Sequence, residues 1–212
     1  MNLLVKKRKP VNVDGLKYFT SREIKMLRKL ARMEAESALQ KNQVTGVRNW
    51  MIIDFLTCTG VRVSECSNMK VGNLKIGHGQ SEIFVSEGKG RISGTVIIPL
   101  SLKKHLASFL HWKENQGESI SDDAFLFIGQ RGKMTAQAIQ QIVKRYLKIL
   151  GIYEPGKSVH GLRHSFAMEL YSREKDLRAV QKQLRHVSIQ STLVYADVSK
   201  DELASQVKGL WN

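Results

Sequence analysis

Cysteine is scarce in this sequence, which contains only Cys58 and Cys66 among 212 residues. They form no Cys-x-x-C motif and have no histidine cluster beside them. This argues against a disulfide framework or a zinc site and fits a reducing cytoplasm. Proline is also rare, with 3 residues, and 16 glycines are too few to suggest a disordered chain. We therefore expect a folded protein without a structural metal.

Long apolar runs are missing as well. The N-terminus reads Met-Asn-Leu-Leu-Val before a run of basic residues, an apolar stretch too short for a signal peptide. The longest apolar helix candidate, around residues 50–58, contains Asp54 and is too short to span a bilayer. We expect a soluble, cytoplasmic protein with no membrane partner.

Acidic residues are outnumbered by basic ones. The chain has 19 Asp and Glu against 34 Lys and Arg, which gives a net charge of +15 and a pI near 9.9. Such an excess favours a polyanionic partner, because each phosphate that Lys or Arg neutralises releases counterions. A solvated basic surface or a ribosome-associated protein is the alternative. With 42% hydrophobic residues the chain can still form a large core.

Helical periodicity dominates the chain. Residues 20–23, Thr-Ser-Arg-Glu, form a capping-box pattern, and apolar residues follow at helical spacing. Two β-like segments, 81–86 and 94–100, flank a glycine-rich turn and predict a β-hairpin. Further helices are expected at residues 47–58, 63–71, 101–116, 135–150, 160–172, 176–185 and 188–196. The predicted fold is mostly α with a small β-sheet (α+β), in one compact domain.

The string at residues 59–65, Thr-Gly-Val-Arg-Val-Ser-Glu, carries the first candidates for chemistry. Gly60 ends one predicted helix, Arg62 starts the next, and Glu65 lies on the same face, where it could orient the guanidinium. Cutting a phosphodiester without a metal needs such cations, together with an activated nucleophile and a proton for the leaving oxygen. A surface ion pair is the alternative for this string alone.

Further candidates lie in the hairpin and near the C-terminus. His160 and Arg163 are three residues apart on one predicted helix, and arginine suits phosphate because its planar fork donates two hydrogen bonds. His186 lies between two predicted helices, and Tyr195 follows it. Lys89 occupies the hairpin tip. The ordinary alternatives are a basic helix face or a helix cap for His160 and Arg163, and a core position for Tyr195. Lys89 would ordinarily be solvated, and could equally reach a DNA minor groove or act as a mobile acid.

Together these strings resemble the tyrosine recombinase (phage integrase) family, most closely its Xer-like members, from about Phe19 to the C-terminus. The matching strings are Thr-Gly-Val-Arg-Val-Ser-Glu at 59–65, Gly-Lys-Gly at 88–90 before Ile-Pro-Leu at 98–100, His-Gly-Leu-Arg-His-Ser-Phe-Ala at 160–167, Asp-Leu-Arg-Ala-Val-Gln at 176–181, Arg-His-Val-Ser at 185–188 and Thr-Leu-Val-Tyr-Ala-Asp-Val at 192–198. The resemblance implies a tyrosine recombinase catalytic-domain fold and site-specific DNA recombination. Integration, inversion and dimer resolution all stay open.

The resemblance also assigns roles to three groups at the phosphate and to the nucleophile. It implies that Arg62 and Arg163 clamp the scissile phosphate and stabilise its transition-state charge, and that Glu65 supports this site. Tyr195 would attack the phosphate, leaving a 3′-phosphotyrosyl link and a free 5′-hydroxyl.

The remaining implied roles concern protons and phosphate binding. Lys89 would protonate the leaving oxygen, His160 would act as acid or base near the nucleophile, and His186 would hydrogen-bond the phosphate. Because the bond energy is kept in the phosphotyrosine, the 5′-hydroxyl of another strand can reverse the step without metal, ATP or another cofactor. A topoisomerase of the same chemistry and a non-catalytic DNA-binding accessory relative are the alternatives.

Two features depart from the family's pattern. Arg185 stands where glycine is usual before the second histidine, and a backbone that needs φ > 0 would resist it. We expect this cation either to add a phosphate contact or to move His186 slightly. The hairpin between residues 90 and 99 is somewhat longer than usual, which leaves the register of Lys89 open.

The expected organisation is a basic lead-in, residues 1–18, followed by a catalytic domain, residues 19–212. Family members commonly carry a helical core-binding domain ahead of the catalytic one, so the chain is either a fragment or a stand-alone short recombinase resembling the fimbrial phase-variation invertases. Met1 and the basic lead-in favour the stand-alone form.

The tail, about residues 199–212, packs either on its own domain or on a neighbouring protomer, which would give a tetramer on DNA. Besides a double-stranded recombination site and further copies of the chain, the implied partners are accessory DNA-bending or directionality factors. The expected location is the nucleoid.

Overall fold

The computed structural model describes residues 17–86, 93–186, 190–193, 195 and 208. Within them the α-helices are α1 (Ser21–Gln40), α2 (Val44–Thr59), α3 (Val63–Ser67), α4 (Leu100–Asn115), α5 (Ala136–Ile149), α6 (Val159–Glu174), α7 (Leu177–Leu184) and α8 (Gln190–Leu193). The strands are β1 (Leu74–Lys75), β2 (Glu82–Val85), β3 (Gly94–Ile97), β4 (Ile128–Gly129) and β5 (Gly132–Lys133). This mostly helical fold with a small antiparallel sheet confirms the α+β prediction.

Helix α1 begins where the capping box predicts. The Thr20 hydroxyl accepts a hydrogen bond from the Glu23 backbone N–H at 3.2 Å, and the Glu23 carboxylate accepts one from the Thr20 backbone N–H at 2.7 Å. A Cβ at Gly46 of α2 would lie 2.6 Å from the Ala38 Cβ of α1, so the two helices approach closely at this point. The buried residues of α1 are mostly small and permit this approach: Leu27, Ala31, Ala35 and Ala38.

Helix α2 is central to the fold and contacts α1, α4, α5 and α6. Buried residues lie on all sides of it, which confirms the prediction of a buried helix. They include Met51, Ile52, Ile53 and Phe55. The helix ends at Gly60, whose φ of +64° is the left-handed conformation that glycine adopts most readily. Arg62 then continues in an extended conformation as the N-cap of α3.

Helix α3 is shorter than predicted, because it ends at Ser67 rather than just before Gly72. Beyond it, the Val71 N–H donates to the Ala124 carbonyl at 2.9 Å instead of to a carbonyl of the same helix. The chain therefore turns through a short 3-10 segment, Val71–Asn73, into β1. A tertiary backbone partner overrides the helical period here.

The small sheet has three antiparallel strands in the order β1-β2-β3. Ile83 of β2 pairs with Val96 of β3, and both side chains are fully buried. The two predicted β segments are confirmed, but the turn between them, residues 87–92 with Lys89, lies outside the described residues. The β4-β5 hairpin was not predicted, because strands of two residues offer no alternating pattern.

Helices α4 to α7 begin and end within two residues of the predicted bounds. Asp176 caps α7 as predicted, since its carboxylate accepts hydrogen bonds from two backbone N–H groups of the first turn. The last predicted helix, 188–196, is described as a helix only at Gln190–Leu193, and the tail at 199–212 is outside the described residues except for residue 208. None of the described helices combines the length and apolar composition needed to cross a bilayer.

Candidate active site

Arg62 lies at the start of α3, two residues after the left-handed turn at Gly60. Its Nη1 donates to Glu65 Oε1 at 2.7 Å, and its backbone N–H donates to Glu65 Oε2 at 2.7 Å. The Glu65 side chain is 4% exposed, whereas the Arg62 side chain is 28% exposed. The predicted contact is confirmed, and the Arg62 side chain is the more exposed of the two.

Arg163 approaches from α6 and is almost fully buried. Its Nη1 donates to the Gly60 carbonyl and its Nη2 to the Leu184 carbonyl, each at 2.7 Å. Burial lowers the pKa of Arg163 to about 10, and the positive charge of Arg62 acts in the same direction. The group stays protonated at neutral pH. Arg163 thus ties the ends of α2 and α7 to α6, and a guanidinium has further N–H groups to offer a ligand.

His186 follows α7 in the connection to α8, as predicted. Its Nδ1 lies 3.0 Å from the hydroxyl of Thr192, which is fully buried. Burial lowers the pKa of His186 to about 4, with Arg163 and Arg62 acting in the same direction. A neutral ring that accepts the Thr192 proton at Nδ1 carries its own proton at Nε2. That Nε2–H is then available as a donor to a phosphate oxygen.

Tyr195 is 4% exposed and lies beside α6 and α7. Burial raises the pKa of its phenol, against the opposing effect of the Arg163 charge. Its backbone N–H donates to the Thr192 carbonyl at 3.0 Å, which ties it to the end of α8. The buried residues of its apolar cluster are Ala167, Val180 and Leu184. In this conformation the phenol is held away from solvent.

His164 is the hydrogen-bond partner of the Tyr195 hydroxyl, with Nδ1 at 2.8 Å. Burial lowers the pKa of His164 to about 4, and the neighbouring His160 and Arg163 act in the same direction. The imidazole is therefore neutral at physiological pH. A neutral ring with its proton on Nε2 presents Nδ1 as an acceptor for the phenol proton.

Arg185 occupies the C-cap of α7 with φ 54° and ψ 45°, which confirms that this position needs a positive φ. Its Nη2 lies 2.6 Å from Glu65 Oε2, and both side chains are almost fully buried. The Glu65 carboxylate therefore contacts two arginines, Arg62 and Arg185, from different parts of the chain.

The structure brings most of the sequence candidates into one site. Arg62, Glu65, Arg163, His186 and Tyr195 surround the junction where the end of α2, the middle of α6 and the end of α7 meet.

The remaining two candidates are His160 and Lys89. His160 is exposed at the start of α6, one turn before His164. Lys89 lies outside the described residues.

Sequence reasoning missed two residues of the site, His164 and Thr192. The available signal was spacing: His164 lies four residues after His160 on the same helix, and Thr192 lies three residues before Tyr195. Neither spacing shows which histidine reaches the phenol. Among the described residues no group of three or more histidine, cysteine or acidic side chains is arranged to hold a metal ion.

Comparisons with known proteins identify the family of this chain. The sequence profile described as the phage integrase family matches residues 21–202. Tyrosine recombinase XerH of Campylobacter jejuni is 34% identical over 175 residues, which are 81% of this chain and 47% of that protein. Tyrosine recombinase XerC of Herpetosiphon aurantiacus is 35% identical over 157 residues, which are 74% of this chain and 50% of that protein. The chain spans about half the length of these curated relatives.

Solved structures match the fold over almost the whole chain. The crystal structure of XerA recombinase has a TM-score of 0.71 at 25% identity, covering 98% of this chain and 67% of that one. XerH recombinase bound to its difH substrate in a pre-cleavage complex has a TM-score of 0.72 at 24% identity, covering 95% of this chain and 56% of that one. Because the family profile matches residues 21–202, the chain belongs to the phage integrase family of tyrosine recombinases.

Proposed function

We propose that residues 19–212 form the catalytic domain of a site-specific DNA recombinase that cleaves and rejoins strands through a 3′-phosphotyrosyl intermediate. The observation that carries the proposal is the Tyr195 hydroxyl, which lies 2.8 Å from the neutral ring of His164 and close enough to the buried Arg163 for its charge to act on the phenol. Family membership and the net charge of +15 favour double-stranded DNA as the substrate.

Strand cleavage begins with attack of the Tyr195 oxygen on the scissile phosphorus. The phenol proton passes to His164 Nδ1, 2.8 Å away, because a protonated phenol with a raised pKa is a poor nucleophile. The pKa of His164 is low in the free protein, and an anionic phosphate bound beside Arg163 raises it, which makes the ring a stronger base. Tyr195 is 4% exposed, so the reaction requires DNA binding to open a path between the phenol and the phosphate.

The phosphate is held by Arg62, Arg163 and His186. Arg62 is partly exposed and is oriented by Glu65, and Arg163 is fixed by its bonds to two backbone carbonyls. We assign the Nε2–H of His186 to a phosphate oxygen, in the tautomer whose Nδ1 accepts from the Thr192 hydroxyl. Donors fixed in advance stabilise the charge that develops on the phosphate oxygens with little reorganisation.

Departure of the 5′-oxygen completes the step. The P–O5′ bond breaks as the P–O bond to Tyr195 forms, and we assign the proton for the 5′-oxygen to Lys89. His160, one turn before His164, serves as a further acid or base at the same edge. The 5′-hydroxyl of a second strand then attacks the phosphotyrosine and releases Tyr195. Because one phosphoester bond forms for each that breaks, the reaction consumes no ATP.

The proposal extends to assembly and location. We propose a homotetramer on DNA, with residues 199–212 packing on a neighbouring protomer and with accessory DNA-bending or directionality factors. We also propose a location in the cytoplasm, at the nucleoid, because the proposed substrate is DNA.

The experiment uses fragmented genomic DNA of the source organism, incubated with the full chain and then denatured, so that covalent protein–DNA adducts can be captured and sequenced. A duplex with the recovered sequence and a nick beside the cleavage point traps the intermediate. Wild type forms the adduct and Tyr195→Phe forms none. Tyr171→Phe is the matched control, because it removes a phenol hydroxyl from a side chain packed against the same apolar cluster.

Three results decide between the alternatives. An adduct with Tyr195→Phe would show that the nucleophile is another residue. No adduct with wild type on any fragment would favour the accessory DNA-binding alternative. Adducts with relaxation of plasmids but no joining of two cleaved partners would favour a topoisomerase.

A further inference from the structure

Arg185 is an unusual residue for its backbone position. It is the C-cap of α7 in the left-handed conformation, at φ 54° and ψ 45°. Side chains other than glycine adopt this conformation at a cost in free energy, and glycine adopts it without that cost. The chain therefore has a bulky cation where the smallest residue fits most easily, which calls for a compensating interaction.

The compensating interaction is with the carboxylate that orients Arg62. Arg185 Nη2 lies 2.6 Å from Glu65 Oε2, and the two side chains are 3% and 4% exposed. Glu65 Oε1 in turn accepts from Arg62 Nη1 at 2.7 Å. The carboxylate thus bridges the start of α3 and the end of α7.

The first residue of β3 lies directly against the Arg185 side chain. A Cβ at Gly94, the first residue of β3, would lie 3.1 Å from Arg185 Cδ. Gly94 therefore allows β3 to lie directly against the arginine side chain. The guanidinium is buried against the Glu65 carboxylate, so in this arrangement Arg185 acts on the site through Glu65.

The positive charge of Arg185 also acts on two other groups of the site. It contributes to the lowered pKa of Arg163 and of His186, although burial is the largest cause for both groups. The cluster of Arg62, Arg163 and Arg185 contains three cations around the Glu65 carboxylate. Such a cluster is stabilised when a phosphate binds beside it.

We propose that Arg185 is a positioning residue of the active site, which holds the Glu65 carboxylate in the orientation in which Glu65 holds Arg62 for the phosphate. The inference rests on the proposed function and adds to it a residue at which this chain departs from its family.

The first experiment is a double-mutant cycle on single-turnover cleavage of the nicked duplex, with Arg185→Gln, Glu65→Gln and the double variant. Arg185→Gln is expected to slow cleavage by about ten-fold or more, the usual size of the effect for a supporting ion pair. In the Glu65→Gln background the same change should have less than about a three-fold effect, since its target is gone. Arg185→Lys keeps the charge and should restore part of the rate.

Two further variants separate positioning from folding and from general charge. Arg185→Gly removes the contact and relieves the left-handed strain, so it should melt no lower than Arg185→Gln and still cleave slowly. Arg178→Gln removes a charge from the exposed side of the same helix and should cleave like wild type. An Arg185→Gly protein that cleaves at the wild-type rate would overturn the inference. So would a double variant whose loss of rate equals the product of the losses in Arg185→Gln and Glu65→Gln.

A measurement on the free protein tests the positioning role of Arg185 even if wild type cleaves no DNA. In nitrogen-15 NMR of the free protein, hindered rotation of the Arg62 guanidinium in its pair with Glu65 should give separate Nη signals. These signals should merge in Arg185→Gln and stay separate in Arg178→Gln. Unchanged Arg62 signals in Arg185→Gln refute the positioning role, whereas absence of wild-type adducts refutes only the proposed function.

Discussion

Replacing Arg163 by lysine tests whether the site needs the several N–H donors of the guanidinium in addition to its positive charge. Arg163 is 5% exposed, and its two terminal nitrogens donate to the carbonyls of Gly60 and Leu184, each at 2.7 Å. A lysine has one nitrogen and cannot reach both carbonyls in the same geometry. We therefore expect Arg163→Lys to lose stability as well as activity.

The magnitude follows from the two bonds. Leaving one buried carbonyl without its donor costs about 1–3 kcal/mol. For a chain of this size that corresponds to a fall in Tm of roughly 2–12 °C. Loss of the fork at the phosphate should slow cleavage by about 100-fold to 1,000-fold, as for other preorganised donors to a developing oxyanion. DNA affinity should stay within a few-fold, since the other cationic contacts persist.

The assays are calorimetry, single-turnover cleavage of the nicked duplex and equilibrium DNA binding. Arg173→Lys is the matched control, because this arginine lies on the same helix but its side chain is 69% exposed and pairs with Glu169. It should change the Tm and the cleavage rate little, as an exposed ion pair contributes about 0–1 kcal/mol. An Arg163→Lys protein with the Tm and cleavage rate of wild type would refute the reasoning.

Two further predictions concern the surroundings of the site. The ring protons of His164 and His186 should titrate near pH 4 in NMR of the folded protein, whereas unfolded histidine titrates near 6.5; because the folded pKa is the lower one, stability should be full above pH 6.5 and decrease as the pH falls toward 4. Midpoints near 6.5 would contradict this. Gly60→Ala should destabilise the fold by more than about 2 kcal/mol in urea unfolding, since its Cβ would lie 2.5 Å from Phe166 Cδ1 in addition to the left-handed strain. Gly117→Ala, also at positive φ but with no neighbour within 4 Å, should cost only about 1–2 kcal/mol, and equal costs would show that the Phe166 contact is unimportant.

Local patterns predicted much of the fold correctly because the interactions behind them are local. The capping box at Thr20, the helix end at Gly60 and the Asp176 cap each depend on backbone groups within four residues. The Arg62–Glu65 contact was predictable for the same reason, as helical spacing brings residues three apart together. Where a distant partner intervened, as the Ala124 carbonyl does after α3, the prediction from periodicity was wrong.

The sequence by itself determined the family, the α+β class and the residue types that a phosphodiester cleavage needs, because these are encoded in short strings and in the charge excess. Only the tertiary structure decided which groups touch. His164 meets the Tyr195 phenol, and Arg185 meets Glu65, across long stretches of chain. Such contacts depend on how α3 and α6 pack on α2 and how α7 packs on α6, and no spacing along the chain specifies that geometry. The same packing buries Tyr195 and keeps His164 and His186 neutral, since burial penalises the charged form of each group.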